Sequence, residues 1–141
     1  MTGPSPIVDT SRPWAKAHID EYLAGKEPEF RHGAPVALIT TQGRNTGTWH
    51  RTALIGAEDG DRVMLVGSGG GDAHPDWYLN LVANPRVWLQ KDGAEFWAVA
   101  RTATSEEKPA LWDRMVAIYP DYAEYQQNTD REIPVVILER E

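Results

Sequence analysis

The sequence predicts an α+β fold that is mainly β: a small barrel of about six antiparallel strands with short helices around it. Apolar runs of strand length recur along the chain. Tight turns such as Asp92-Gly93 join neighbouring runs, which favours antiparallel pairing. The 141 residues contain no linker, so they suit one domain with one core.

Six runs rich in β-branched and aromatic residues define the predicted strands. They cover residues 36–41, 51–57, 62–67, 86–91, 94–103 and 134–138. The turn signal at residues 58–61 predicts a hairpin between the second and third strands. Asp92-Gly93 predicts another between the fourth and fifth strands.

Three segments have the apolar spacing of short helices. They cover residues 14–24, 76–84 and 109–118. Thr104 and Glu107 form a capping-box pattern before the third helix. Residues 1–13 are rich in Pro, Ser, Thr and Gly, so we expect a flexible N-terminal arm before a single domain over residues 14–141.

The composition argues against several classes of protein. The net charge of −7 disfavours nucleic acid as a partner, and no apolar run reaches the roughly 18 residues of a membrane span. Cysteine is absent, and the four histidines show no spacing typical of metal ligands, so we predict no metal site. The N-terminus lacks the pattern of a signal peptide, so we expect a cytoplasmic protein.

Residues 30–57 contain no Asp or Glu, although the protein is acidic overall. Within them, the stretch TTQGRNTGTWHR runs from the end of the first predicted strand to the first residue of the second. Its glycines permit a tight backbone and Arg44 supplies a fork of donors, so the stretch suits an anion such as phosphate. Ser68 and the glycines after it form a second donor-rich loop. Either stretch is also explained by an ordinary hairpin loop that binds no ligand.

Tyr119, Tyr122 and Tyr125 lie three residues apart near the C-terminus. On a helix or 3-10 turn they would share one face. Such a face can line an aromatic pocket and offer hydroxyl groups. Core packing is the simpler explanation for these tyrosines, and also for Trp77 and Trp88.

Four stretches resemble, in order and spacing, the deazaflavin-dependent nitroreductase and quinone reductase family of actinobacteria. They are VALITTQGRNTG, RVMLVGSGGG, PDWYLNLVANPRV and IYPDYAEYQQNTDREIPVV, and they span about residues 35–136. The resemblance implies a split β-barrel of the FMN-binding, pyridoxamine-phosphate-oxidase-like type. It also implies that the protein binds coenzyme F-420, an 8-hydroxy-5-deazaflavin with a phosphate and a polyglutamate tail.

The resemblance also assigns residues to the cofactor and the substrate. It places the phosphate and tail at Arg44, Asn45 and Thr46, the deazaflavin at His50, Arg51, Thr52, Ala53, Leu54, Ile55, Val66, Gly67, Ser68 and Gly69, and the closing side at Trp77, Tyr78 and Asn80. It places the substrate at Tyr119, Tyr122, Tyr125 and Trp77, with Tyr122 and Ser68 in catalytic roles. Asn45 and Gly69 stand where the family usually has lysine, which removes two cations from the tail site.

The implied activity is hydride transfer from reduced F-420 to a small electron-poor acceptor such as a quinone, an enone or a nitro-aromatic compound. Two alternatives remain open: a non-catalytic carrier of F-420 or a tetrapyrrole-like ligand, and an FMN-dependent enzyme on the same barrel. The helix over residues 14–24 could pack on the barrel or touch a membrane. Its acidic polar face favours packing. Monomer and homodimer both remain open.

Overall fold

The computed structural model describes residues 2–69 and 72–141. Its strands are β1 Ile7–Asp9, β2 Glu29–Phe30, β3 Ala34–Gln42, β4 Trp49–Ile55, β5 Ala57–Asp59, β6 Arg62–Val66, β7 Arg86–Lys91, β8 Ala94–Thr102 and β9 Val135–Arg140. Its helices are α1 Pro13–Leu23, α2 Asp76–Ala83, α3 Lys108–Ile118 and α4 Asp121–Gln127, with a 3-10 turn over Arg31–Gly33. The three predicted helices are therefore confirmed, and α4 is additional.

The strands form one sheet in the order β1-β4-β3-β7-β8-β9-β6-β5, and β2 pairs with β3 off this path. Every pairing is antiparallel except that of β1 with β4. The path ends at β1 and β5 without closing, so the barrel is split. The predicted fold class is confirmed.

The predicted strand over residues 51–57 is interrupted at Gly56. A Cβ at this position would lie 2.6 Å from the Cβ of Ala37, so only glycine lets the two backbones approach so closely. Before the break, β4 pairs with β3, and after it β5 pairs with β6. The hairpin expected between the second and third strands thus involves only the short β5, which is a correction to the sequence analysis.

The two local signals at β7–β8 and before α3 are confirmed. Asp92 and Gly93 have φ of 53° and 81°, the left-handed pair that a tight hairpin turn requires. The amide of Glu107 donates to Thr104 Oγ1 at 3.2 Å, and the amide of Thr104 donates to Glu107 Oε1 at 3.0 Å. This reciprocal capping box precedes the first residue of α3.

The segment expected to be a flexible arm carries a strand and lies against the sheet. β1 pairs in parallel with β4, and Asp9 forms a salt bridge with Arg51. The indole Nε1 of Trp97 donates to the carbonyl of Thr2 at 3.1 Å. Composition alone suggested mobility because it does not reveal that β4 offers an edge and a cation to this segment.

Three groups of buried side chains stabilise the fold. The barrel interior is built around Ile39, Leu65 and Leu89, all fully buried. A second group packs α3 and α4 against the sheet, and a third seats α1 through Ala15 and Ile19. Each large buried side chain contributes about 1.5–3 kcal/mol. The packed α1 agrees with the favoured of the two expectations, and no described helix has the length and apolar character needed to cross a membrane.

Candidate active site

A cavity of about 650 Å³ opens where the β3–β4 turn, the end of β6, α2 and the α3–α4 connection meet. This volume is typical of small-molecule sites, which span about 300–1,000 Å³. Its polar side is formed by Arg44, Asn45, Thr46, Asp76 and Asn80. Its aromatic side is formed by Trp14, His18, Phe30, Tyr119, Tyr122 and Tyr125.

Arg44 on the polar side is held in place by α2. Its backbone amide and its Nη1 both donate to Asn80 Oδ1, at 3.2 and 2.8 Å, and its Nη2 donates to Asp76 Oδ1 at 3.2 Å. Asn80 is only 6% exposed and donates in turn to Thr41 Oγ1 at 3.4 Å. A buried amide therefore orients a guanidinium at the cavity wall.

The β3–β4 turn leaves two backbone donors free beside this guanidinium. Gly43 N donates to Thr48 O at 2.7 Å, Gly47 N donates to Gly43 O at 2.9 Å, and Thr48 N donates to Thr46 Oγ1 at 3.2 Å. Gly47 has a φ of 75°, a conformation that favours glycine. The amides of Asn45 and Thr46 donate to no atom of the described residues. Together with Arg44 they can bind an anion.

β4 forms one wall of the cavity. The predicted residues of β4 that line it are His50, Arg51, Thr52, Leu54 and Ile55. Ala53 does not line it, because its side chain is fully buried in the core that seats α1. Ala53 therefore serves packing, which corrects its assignment to the deazaflavin wall.

Arg51 lines the cavity, but its guanidinium is already engaged. Nε and Nη2 donate to the two carboxylate oxygens of Asp9 at 2.6 and 3.2 Å, and Nη1 donates to Gln90 Oε1 at 3.2 Å. Only 11% of the side chain is exposed. Arg51 thus ties β1 to β4 in this structure.

The loop after β6 forms the next part of the wall. The predicted residues Val66, Ser68 and Gly69 line the cavity. Gly67 faces away from it, since a Cβ there would lie 2.9 Å from Pro134 Cγ and its amide donates to Pro134 O at 2.9 Å. Pro134 therefore fills the space that a side chain at position 67 would need.

Arg131 holds this loop, although no role was predicted for it from the sequence. Its Nη1 donates to Gly67 O at 3.0 Å, and its Nη2 donates to the carbonyl of Ser68. Nη1 also donates to His74 Nδ1 at 2.8 Å. Burial, and then the charge of Arg131, lowers the pKa of His74, which favours the neutral ring that this contact requires.

Helix α2 contributes Trp77 and Asn80 to the cavity, as predicted. Tyr78 lies outside it, with its hydroxyl 2.9 Å from Thr102 Oγ1 and its ring 4.8 Å from that of His74. Tyr78 therefore fixes α2 to β8 rather than closing over the cavity.

The structure gathers the three predicted tyrosines on one wall. Tyr119 and Tyr122 are 2% and 4% exposed, and their rings meet edge to face at 4.9 Å. The hydroxyls of Tyr119 and Tyr125 lie 3.2 Å apart, whereas that of Tyr122 has no partner among the described residues. Burial raises the pKa of Tyr122, with smaller contributions from the other two tyrosines, so its hydroxyl stays protonated at neutral pH.

The family model for F420H(2)-dependent quinone reductase matches residues 14–140. The chain belongs to this family. The F420H(2)-dependent quinone reductase Rv1261c of Mycobacterium tuberculosis is 34% identical over 94% of this chain and 99% of the relative. The solved F420-H2 dependent reductase FDR-A is 40% identical, with a TM-score of 0.69 over 74% of this chain and 94% of that one. Another solved structure, a domain-swapped dimer, is 34% identical, with a TM-score of 0.71 over 92% and 100% of the two chains.

The comparison also supports the fold. A structure from Listeria innocua described as a pyridoxamine 5′-phosphate oxidase has a TM-score of 0.54 at 16% identity, over 75% of this chain and 83% of that one. This identity is too low to indicate function, but the shared architecture is the split barrel that the sequence predicted. The family model and the relatives at 34% and 40% identity confirm the resemblance seen in the sequence at the level of the quinone reductase family.

The N-terminal segment also contributes to this cavity, although none of its residues was assigned to the site from the sequence. Thr10, Arg12, Trp14 and His18 all line it, and Phe30 follows from β2. Trp14 and His18 lie four residues apart on α1, beside the face that buries Ala15 and Ile19. That spacing was visible in the sequence, but only the docking of α1 on β4 shows that it borders the cavity.

Proposed function

We propose that the protein transfers a hydride from reduced coenzyme F-420 to a quinone in the cavity between the β3–β4 turn and α4. One observation carries this proposal: a single cavity of about 650 Å³ combines an anion-binding side with buried phenols. Membership of the F-420-dependent quinone reductase family supports the cofactor and the reaction class. We also propose roles for individual residues.

The polar side suits the phosphate and glutamate tail of F-420. Arg44 presents a guanidinium whose orientation Asn80 sets, and the free amides of Asn45 and Thr46 lie in the same turn. Charged forks and clustered amides are the groups that bind phosphate and carboxylate. The absence of Asp and Glu from residues 30–57 limits repulsion of such an anion.

The middle of the cavity suits a flat ring system. Leu54, Ile55, Val66 and Trp77 give it an apolar wall. A small number of polar groups on such a wall fixes the orientation of a ligand. We assign this role to Ser68, which lines the same cavity and whose carbonyl is held by Arg131.

The aromatic side suits the acceptor. When bound, reduced F-420 supplies a hydride, and the protein aligns the two reactants and excludes water. Hydride transfer would place one negative charge on the quinone, mainly on a carbonyl oxygen, and uptake of one proton would then complete the hydroquinone. The Tyr122 hydroxyl is free of other partners among the described residues and would donate a hydrogen bond to that oxygen. Its raised pKa makes this hydrogen bond, rather than early proton transfer, its main contribution.

Enones and nitro-aromatic compounds are further acceptors in this proposal, because both develop negative charge on oxygen as a hydride arrives.

We also propose a homodimer, since a relative of 34% identity is a domain-swapped dimer. Light scattering during gel filtration tests that state, and a monomer at micromolar concentration would contradict it. A cytoplasmic location remains a prediction.

The decisive experiment mixes the protein with reduced F-420 and menadione and follows reoxidation of the cofactor. We expect reoxidation well above the rate without protein, and saturation with both reactants. Cofactor binding without faster reoxidation would contradict an enzyme and indicate a carrier. A parallel titration with FMN completes the test. If the protein binds FMN but not F-420, the proposed cofactor is wrong.

A further inference from the structure

His18 carries a nitrogen that the proposed roles leave unused. Its ring lines the cavity from helix α1. Its Nδ1 is shielded from solvent and has no hydrogen-bond partner among the described residues, whereas Nε2 is not shielded in this way. Because Nδ1 is shielded and unpartnered, Nε2 is the ring nitrogen that can contact a ligand in the cavity.

The shielded Nδ1 determines which nitrogen of the neutral ring carries the proton. In neutral imidazole one nitrogen donates and the other accepts. In the backbone, a buried N–H without an acceptor is rarer than a buried carbonyl without a donor, and we apply the same preference to the ring nitrogens. The favoured tautomer therefore has a bare Nδ1 and a proton on Nε2, so His18 offers a hydrogen-bond donor to the cavity.

Two aromatic side chains hold the ring. The centroid of His18 lies 6.3 Å from that of Trp14 and 5.9 Å from that of Phe30, edge to face in both cases. Phe30 lies 5.6 Å from Tyr119, which contacts Tyr122. His18 thus belongs to the same aromatic side as the phenols and reaches it from a different element.

We propose that His18 Nε2–H donates a hydrogen bond to a carbonyl oxygen of the quinone acceptor. This assignment rests on the proposed function and extends it. A quinone carries two carbonyl oxygens. Hydride transfer places one net negative charge on the molecule, and both oxygens can accept a hydrogen bond. Tyr122 serves one oxygen from α4, and His18 serves the other from α1. The pair favours acceptors with two carbonyls over acceptors with one.

The test compares two substitutions of the same residue. His18→Phe keeps an aromatic ring between Trp14 and Phe30 but removes the donor, whereas His18→Gln places an amide nitrogen near the position of Nε2. We expect His18→Phe to lower kcat/KM for menadione about three- to tenfold, the range for one neutral hydrogen bond, and His18→Gln to restore most of it. The Kd for F-420 should be unchanged in both.

His32→Phe is the matched control. His32 also lies against Tyr119, at 5.8 Å between centroids, but it is half exposed and does not line the cavity. We expect wild-type kinetics from this variant, and thermal unfolding should show that all three variants are folded at the assay temperature.

Three results would overturn the assignment. They are wild-type kcat/KM in His18→Phe, an equal loss in the Phe and Gln variants, and a loss confined to F-420 binding. An inactive wild-type protein would instead contradict the proposed function, so the two failures are distinguishable.

Discussion

The polar and aromatic sides of the cavity are held in place by different interactions. On the polar side, the hydrogen bonds that Arg44 donates to Asn80 and Asp76 fix its partly exposed side chain. On the aromatic side, Tyr119 and Tyr122 are almost fully buried and are fixed by ring packing. The polar side should therefore respond to charge and salt, whereas the aromatic side should respond to changes in the shape and hydroxyls of its rings.

Removing the cation from the polar side should have the largest effect. Arg44→Ala should weaken F-420 binding about ten- to hundredfold, because charge-assisted hydrogen bonds contribute about 1.5–3 kcal/mol. The rate at saturating cofactor should change far less. A fluorescence titration gives the Kd, and steady-state kinetics give the rate.

Arg86→Ala is the control for the loss of one positive charge. Arg86 pairs with Glu141 away from the cavity, so its replacement should leave the Kd unchanged. Unchanged affinity in Arg44→Ala would show that the β3–β4 turn is not the phosphate site.

Removing one hydroxyl from the aromatic side should affect the rate instead. Tyr122→Phe should lower kcat for menadione about tenfold or more, in line with the loss of a positioned donor. It should leave the Kd for F-420 and the free energy of unfolding nearly unchanged, because that hydroxyl bonds to no described residue. Stopped-flow reoxidation and thermal unfolding give these quantities.

Tyr78→Phe is the matched control, because the hydroxyl of Tyr78 bonds to Thr102 outside the cavity. Its kcat should equal that of the wild type. If the two Phe variants behave alike on every acceptor, Tyr122 has no special role in the reaction.

Local signals explain what the sequence could predict on each side. Arg44 stands out in an acid-free segment, and the tyrosines repeat at helical spacing, so both were candidates from the sequence. The same holds for the Asp92-Gly93 hairpin, since two adjacent residues set its backbone. Each of these features depends only on residues that are close to one another in the sequence.

Features that join distant segments could not be predicted. Asp76 was not expected to reach Arg44, and Arg51 was assigned to the cofactor although Asp9 occupies its guanidinium. The break at Gly56 arises from close contact with Ala37 on another strand. Each of these contacts depends on the tertiary arrangement, which spacing along the chain does not encode.

Asp76 offers a smaller test of the polar side. Its side chain is 88% exposed and competes with an anionic ligand for Arg44. Asp76→Asn should tighten F-420 binding by up to about fivefold, because exposed ion pairs contribute about 0.2–1 kcal/mol. The gain should shrink as salt concentration rises. Weaker binding in this variant would mean that Asp76 orients Arg44 rather than opposing the ligand.

The smallest expected effect is on the pH dependence of stability. The regions beside the polar and aromatic sides of the cavity should lose stabilising interactions at different pH values. Near the polar side, the pKa of His74 is lowered by burial and Arg131, so stability should fall as pH decreases below the ordinary value of 6.5. At the start of α3, which packs beneath the tyrosines, hydrogen bonds from Arg101 and Thr104 lower the pKa of Glu107 from 4.5 to about 2. That contribution is complete above pH 4.5 and is lost towards pH 2.

Urea unfolding at a series of pH values separates the two contributions. His74→Phe should flatten the dependence just below pH 6.5 only, and Glu107→Gln should flatten it below pH 4.5 only. Hydrogen exchange shows where in the structure each contribution is lost. The loop after β6 should lose protection at the higher pH, and the start of α3 should keep it until the carboxylate of Glu107 is protonated. Simultaneous loss at both places would mean that the two sides of the cavity unfold as one unit, despite the different interactions that hold them.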